Sequence, residues 1–111
     1  MITWQEFEKV DIRCGTILSA VDNTKARNPA YTLKIDFGEE LGIKTSSAQI
    51  ADLYTKEELV GKRIIGVVNF EPKYIAGVKS EVLVCGFYTP DRKVSVVECI
   101  KGDVQNGAKL G

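Results

Sequence analysis

Lys25, Arg27, Lys34, Lys73 and Lys79 are the side chains of this sequence best suited to act on a ligand. Cations of this kind neutralise phosphate oxygens and release counterions, a large part of nucleic-acid affinity. They are unevenly spread. Residues 13–34 hold four cations against Asp22, and residues 61–80 hold Lys62, Arg63, Lys73 and Lys79 against Glu71, a net +3 in each stretch. Residues 35–60 hold six acids against Lys44 and Lys56, a net −4. The 111-residue chain is neutral, with 15 cations and 15 acids. Any basic surface must therefore be local, made where the fold brings the two basic stretches together.

A second kind of chemistry is apolar. Phe70, Pro72, Tyr74 and Ile75 crowd into a stretch with no regular period. Side chains there are hard to bury completely. They are expected either to cover one end of the core or to line a groove for unfolded or presecretory polypeptide.

Catalysis is not expected. Histidine is absent, which removes the usual general base and the usual zinc ligand. No GxSxG, Walker loop or GxGxxG occurs. Glu39–Glu40 and Glu57–Glu58 are adjacent pairs whose side chains diverge, and they read as solvated surface. Cys14, Cys85 and Cys99 are odd in number and far apart in sequence. They read as small buried hydrophobes in a reducing cytoplasm, with no disulfide framework, no metal site and no cofactor. No apolar run is long enough to span or insert into a membrane. The first ten residues carry Glu6 and Glu8 and do not read as a secretory signal.

The elements that must position these residues are mostly strands within one domain, 1–111. Thr3-x-x-Glu6 and Thr55-x-x-Glu58 are capping boxes that open short helices. Trp4, Phe7 and Val10 fall on one face of the first helix; they either close one end of the core or seal a subunit interface. Asp11 to Val21 reads as a strand, with Gly15 marking a bulge or bend. Asp22 to Pro29 is a loop carrying Lys25 and Arg27. Tyr31, Leu33, Ile35 and Phe37 alternate with Thr32, Lys34 and Asp36, a strand with one wet face. Gly38 to Gly42 is an acidic turn, and Ile43 to Ser47 a short strand. Residues 64–68 form a buried strand, and 69–80 an irregular segment. Glu81 to Tyr88 is one strand that turns at Pro90-Asp91 and pairs back over Val94 to Ile100. Five or six strands, a helix between the third and fourth, and glycines inside strands suit a small closed β-barrel, an OB-like barrel first and a Greek-key sandwich second.

Three stretches carry a family resemblance. Asp11-Ile12-Arg13-Cys14-Gly15-Thr16-Ile17 resembles the Asp-Ile-Arg-Val-Gly opening of tRNA-binding domains. These modules occur in methionyl-tRNA synthetases, phenylalanyl-tRNA synthetase beta chains and the endothelial monocyte-activating polypeptide. Asn69 to Lys73 with Ile75 to Glu81 is similar to that family's Asn-x-x-Pro and Gly-x-x-Ser segment. Ser46-Ser47-Ala48-Gln49-Ile50 and Lys79 to Gly86 look like the CsaA branch, stand-alone members described as export-related chaperones. The resemblance covers nearly the whole chain. It implies an all-β fold with short helices, a five-stranded OB-fold barrel with N- and C-terminal extensions. It also implies a cytoplasmic homodimer that binds tRNA or structured RNA, or an unfolded polypeptide. Asn69 and Ser80 match motif positions and would supply hydrogen bonds to RNA beside the five cations. Trp4 and Phe7 would belong to the dimer interface. Cys14 replaces the usual valine, and Glu71 stands where several relatives are neutral or basic.

Overall fold

The Thr-x-x-Glu spacing starts two of the three helices. The computed structural model describes residues 1–111 and places α1 at Trp4–Glu8, α2 at Gly38–Leu41 and α3 at Lys56–Leu59. Thr3 Oγ1 accepts from the Glu6 N–H at 3.2 Å while the Thr3 N–H donates to Glu6 Oε1 at 3.0 Å. Thr55 and Glu58 repeat the exchange at 3.2 and 2.6 Å. Two orphan amides are satisfied at each helix start. The acidic 38–42 turn is a single helical turn closed by the Gly42 N–H on Gly38 O.

Nine strands follow: β1 Ile12–Asp22, β2 Tyr31–Asp36, β3 Ile43–Ala48, β4 Arg63–Val67, β5 Lys73–Ile75, β6 Val78–Ser80, β7 Leu83–Val84, β8 Gly86–Tyr88 and β9 Val94–Val96. The main sheet has the order β3-β2-β1-β4-β7, antiparallel throughout. Its two edges approach each other. The Glu81 N–H donates to Thr45 O at 2.8 Å, and Ser46 Oγ donates to Val82 O at 2.9 Å. The result is a nearly closed five-stranded barrel with α3 between its third and fourth strands, an OB fold. Ile17, Leu33, Ile35, Phe37, Leu59 and Ile64 are fully buried inside it. The expected alternation of β2 is present, with Tyr31, Leu33 and Ile35 inward and Lys34 exposed.

Four expectations are corrected. Gly15 is not the bulge: the β1–β2 register shifts between Ile17 and Ser19. A Cβ on Gly15 would sit 2.8 Å from Ile35 Cγ2 and from the Phe37 ring, so glycine there lets the core reach the backbone. Residues 69–80 are not irregular throughout, because β5 and β6 form a hairpin across Ala76-Gly77. Both turn residues have positive φ, 47° and 82°, as a two-residue turn of the twisted hairpin type requires. The apolar run 81–88 is not one strand: β7 pairs with β4, and β8 pairs with β9. The returning strand ends at Val96, after which Glu98 and Cys99 meet Ile64 and Arg63 along β4.

The C-terminal segment is also structured. The Cys14 N–H donates to Ala108 O at 3.0 Å, the Gly107 N–H to Cys14 O at 2.7 Å, and the Leu110 N–H to Ile12 O at 2.9 Å. These bonds fill the edge of β1 that β2 does not reach.

Candidate nucleic-acid interface

The loop between β1 and β2 and the β5–β6 hairpin, which connects the fourth and fifth barrel strands, meet at one end of the barrel. Asn23 Nδ2 donates to Ala76 O at 3.5 Å, and Asn23 Oδ1 accepts from the Lys25 N–H at 3.1 Å. Lys25 then lies along the hairpin tip: a Cβ on Gly77 would be 3.4 Å from its Cδ and 3.6 Å from its Nζ. The two basic stretches of the sequence are thereby in contact. All five predicted cations, Lys25, Arg27, Lys34, Lys73 and Lys79, are exposed and stand outside every ion pair of the fold.

The hairpin divides its residues between two faces. Register pairs Lys73 with Ser80, Tyr74 with Lys79 and Ile75 with Val78. Directly opposed residues share a face and successive residues alternate. Lys73, Ile75 and Ser80 therefore share one face, and Tyr74 and Lys79 the other. The first face borders a groove of about 570 Å³ whose lining includes Phe70, Lys73, Ile75, Ser80 and Leu83. Four predicted site residues come together there, two from the RNA set and two from the peptide set. Pro72 is exposed and does not line the groove, and Tyr74 is 77% exposed on the far face.

Two predicted hydrogen-bonding residues have structural partners. Asn69 Oδ1 accepts from the Asp11 N–H at 3.0 Å and Asn69 Nδ2 donates to Lys9 O at 2.7 Å, tying the end of β4 to the chain after α1. Ser80 Oγ accepts from the Ser47 N–H at 3.0 Å, and its own hydrogen stays free for a ligand. Arg13, in the opening motif, is held by Asp11 at 2.6 Å and by Gly107 O at 3.1 Å. Its pKa is pushed further up, first by the hydrogen bond to Asp11. Trp4 and Phe7 meet in a tilted pair, 5.3 Å between ring centroids with an interplanar angle of 44°, with Trp4 61% exposed and Phe7 half-buried.

Sequence reasoning missed Leu83 and Ser47 as groove residues, because strand β7 is only two residues long and its apolar run reads as core. It also missed Arg92, whose guanidinium carbon lies 4.1 Å from the centroid of the Tyr88 ring. No group of three or more His, Cys, Asp or Glu side chains is gathered to hold a metal. No helix is long and apolar enough to cross a membrane.

An OB barrel with free cations on the loops that join strands one to two and four to five belongs to the class of barrels whose loops bind oligonucleotides or oligosaccharides. Residues 12–109 match the family described as "Putative tRNA binding domain", and the chain belongs to that family. A crystal structure of CsaA chaperone protein from Picrophilus torridus is 49% identical with a TM-score of 0.92, each chain being covered completely. The chaperone CsaA of Bacillus anthracis is 44% identical with a TM-score of 0.91, over 100% of this chain and 99% of that one. A methionine–tRNA ligase of Flavobacterium psychrophilum is 33% identical over 96% of this chain. The chain spans only 15% of that ligase.

Proposed function

We propose that this chain is a non-catalytic, cytoplasmic tRNA-binding protein of the CsaA type that works as a homodimer. The observation that carries the reading is the contact between the β1–β2 loop and the hairpin tip. It gathers unpaired cations from both basic stretches at the loops that OB barrels use for oligonucleotides. Family membership and the CsaA neighbours support the same ligand class. Gel shift of total tRNA across a salt series tests it. Roughly three to six phosphate contacts per dimer give a log–log salt slope of about −2 to −5. Reversing Lys25 and Lys73 together to Glu flattens that slope by about 1.5 for each subunit that engages the RNA and weakens all RNAs alike. An unchanged slope in the double variant overturns the reading.

A chaperone reading is favoured by one observation, the groove in which Phe70 and Ile75 stay 57% and 39% exposed beside Leu83. Replacing Phe70 and Ile75 by Ser then weakens suppression of client aggregation in a folded protein. Binding of this apolar kind strengthens in kosmotropic salt, where phosphate contacts fade.

A further inference from the structure

One carboxylate in the groove beside the hairpin has nothing to hold. Two acids line that groove, Glu71 and Glu81. Glu81 is occupied: its Oε1 accepts from the Thr45 N–H at 3.1 Å, and its Oε2 faces Lys44 Nζ at 3.9 Å. Glu71 is exposed and belongs to no ion pair, although Lys73 lines the same groove. Against a phosphate alone Glu71 works badly, because it repels the anion that Lys73 attracts. It suits a ligand that carries N–H donors as well as an anion.

The rest of the lining meets the other needs of such a ligand. Phe70 is 57% exposed and offers an aromatic surface. Ser80 Oγ accepts from the Ser47 N–H at 3.0 Å, which leaves its hydroxyl hydrogen to donate. Lys73 and Ser80 are opposed in register and share one face of the hairpin. An unpaired nucleotide has the matching parts: a flat base, a polar edge and a phosphate. An apolar peptide segment would leave both Glu71 and Lys73 without partners.

The bases differ in what they offer a carboxylate, which accepts at both oxygens and donates nothing. Guanine presents two adjacent donors, N1–H and N2–H, which fit a carboxylate bidentately, with the acceptor O6 beside them. Adenine and cytosine set a ring nitrogen acceptor next to their one amino group. Uracil flanks its one N–H with two carbonyls. Each of these three turns a lone pair towards the carboxylate.

We propose that this groove takes an unpaired guanine nucleotide of RNA. The base lies against Phe70, N1–H and N2–H donate to Glu71, O6 accepts from Ser80 Oγ, and a phosphate sits at Lys73. The proposal rests on the reading that the chain binds tRNA, and adds a base preference to contacts that otherwise follow charge alone. None of the lining residues comes from α1, the β8–β9 ribbon or the tail. A homodimer joined through its terminal extensions needs none of these side chains.

The test uses the full chain, total tRNA and fluorescein-labelled eight-nucleotide RNAs: oligouridylate, and the same chain with one central guanosine, adenosine or inosine. The guanosine RNA binds roughly tenfold more tightly than the uridine and adenosine ones, the scale of one bidentate base contact. Inosine, which lacks the N2 amino group, loses most of that gain. Glu71→Gln abolishes the preference and at the same time strengthens oligouridylate, since a negative charge is gone. Phe70→Leu keeps apolar bulk, removes the π face and weakens the guanosine RNA roughly tenfold. Both side chains are exposed, so both variants keep the fold. If Glu71→Gln strengthens all four oligonucleotides alike, the carboxylate only repels phosphate; this inference fails and the tRNA reading stands. A parent chain that binds no tRNA at low salt sinks both. A parent without base preference, whose Phe70→Leu variant loses only an unfolded polypeptide, assigns the groove to polypeptide and overturns the proposal.

Discussion

Asn69 is a polar motif residue whose visible work is mechanical. Its amide bridges Lys9 and Asp11, and the side chain has no role in the groove. Asn69→Ala is expected to cost about 1 kcal/mol in urea denaturation, the net worth of such exposed bonds, and to leave the RNA salt slope unchanged. Cys14 makes a different prediction. Burial pushes its thiol up, opposed by the weaker pull of Arg63, whose Nη2 lies 3.3 Å from Sγ. The unfolded chain ionises near pH ~8.5 while the folded thiol stays neutral. Stability from this group is complete below that pH and is lost as pH rises towards the higher folded value. Urea midpoints between pH 7 and 10 should fall on the alkaline side, and Cys14→Val should flatten the fall.

At the scale of elements, the hairpin decides which cations can act together. Lys73 and Lys79 are on opposite faces of the ribbon, so one RNA surface engages one of them. Ala76 holds φ 47° at its tip. Ala76→Gly relieves about 1 kcal/mol of left-handed strain, and slower hydrogen exchange over residues 73–80 would report it. The same hairpin shows where the sequence was legible. Both helix starts and the alternation of β2 were readable because their signals are local, a capping pair and a period of two. The hairpin was not, because Ala76-Gly77 lacks the Asn-Gly or Asp-Gly that usually marks such a turn. Nor was the break at Cys85, since only the partners of β7 and β8 divide that apolar run. The cations were legible as a set, and their meeting place was not. It depends on Lys25 reaching Gly77, 52 positions along the chain.

At the scale of the whole molecule, the proposed homodimer makes a prediction about the N-terminal end. Trp4 and Ile2 are 61% and 69% exposed at the N-terminal end. Sedimentation at micromolar concentration is expected to give about twice the 12.2 kDa chain mass. Removing residues 1–9 should shift it towards monomer, and a monomeric parent chain would end the dimer reading. The tail makes a second prediction. Gly107 has φ 91°, and a Cβ there would lie 2.6 Å from Phe37 O. Gly107→Ala should therefore destabilise the fold by about 1–3 kcal/mol in thermal unfolding.

The pairing of residues 107–110 with Ile12 and Cys14 also sets an order of events during synthesis. Chains emerge at roughly 5–20 residues per second, amino end first. The second edge of β1 therefore waits, half-clothed, until residues 107–110 have followed it. A nascent chain stalled while residue 110 is still inside the ribosome cannot complete its first strand. In a force-sensitive arrest assay, the release signal should appear only at linker lengths that put residue 110 outside the exit tunnel.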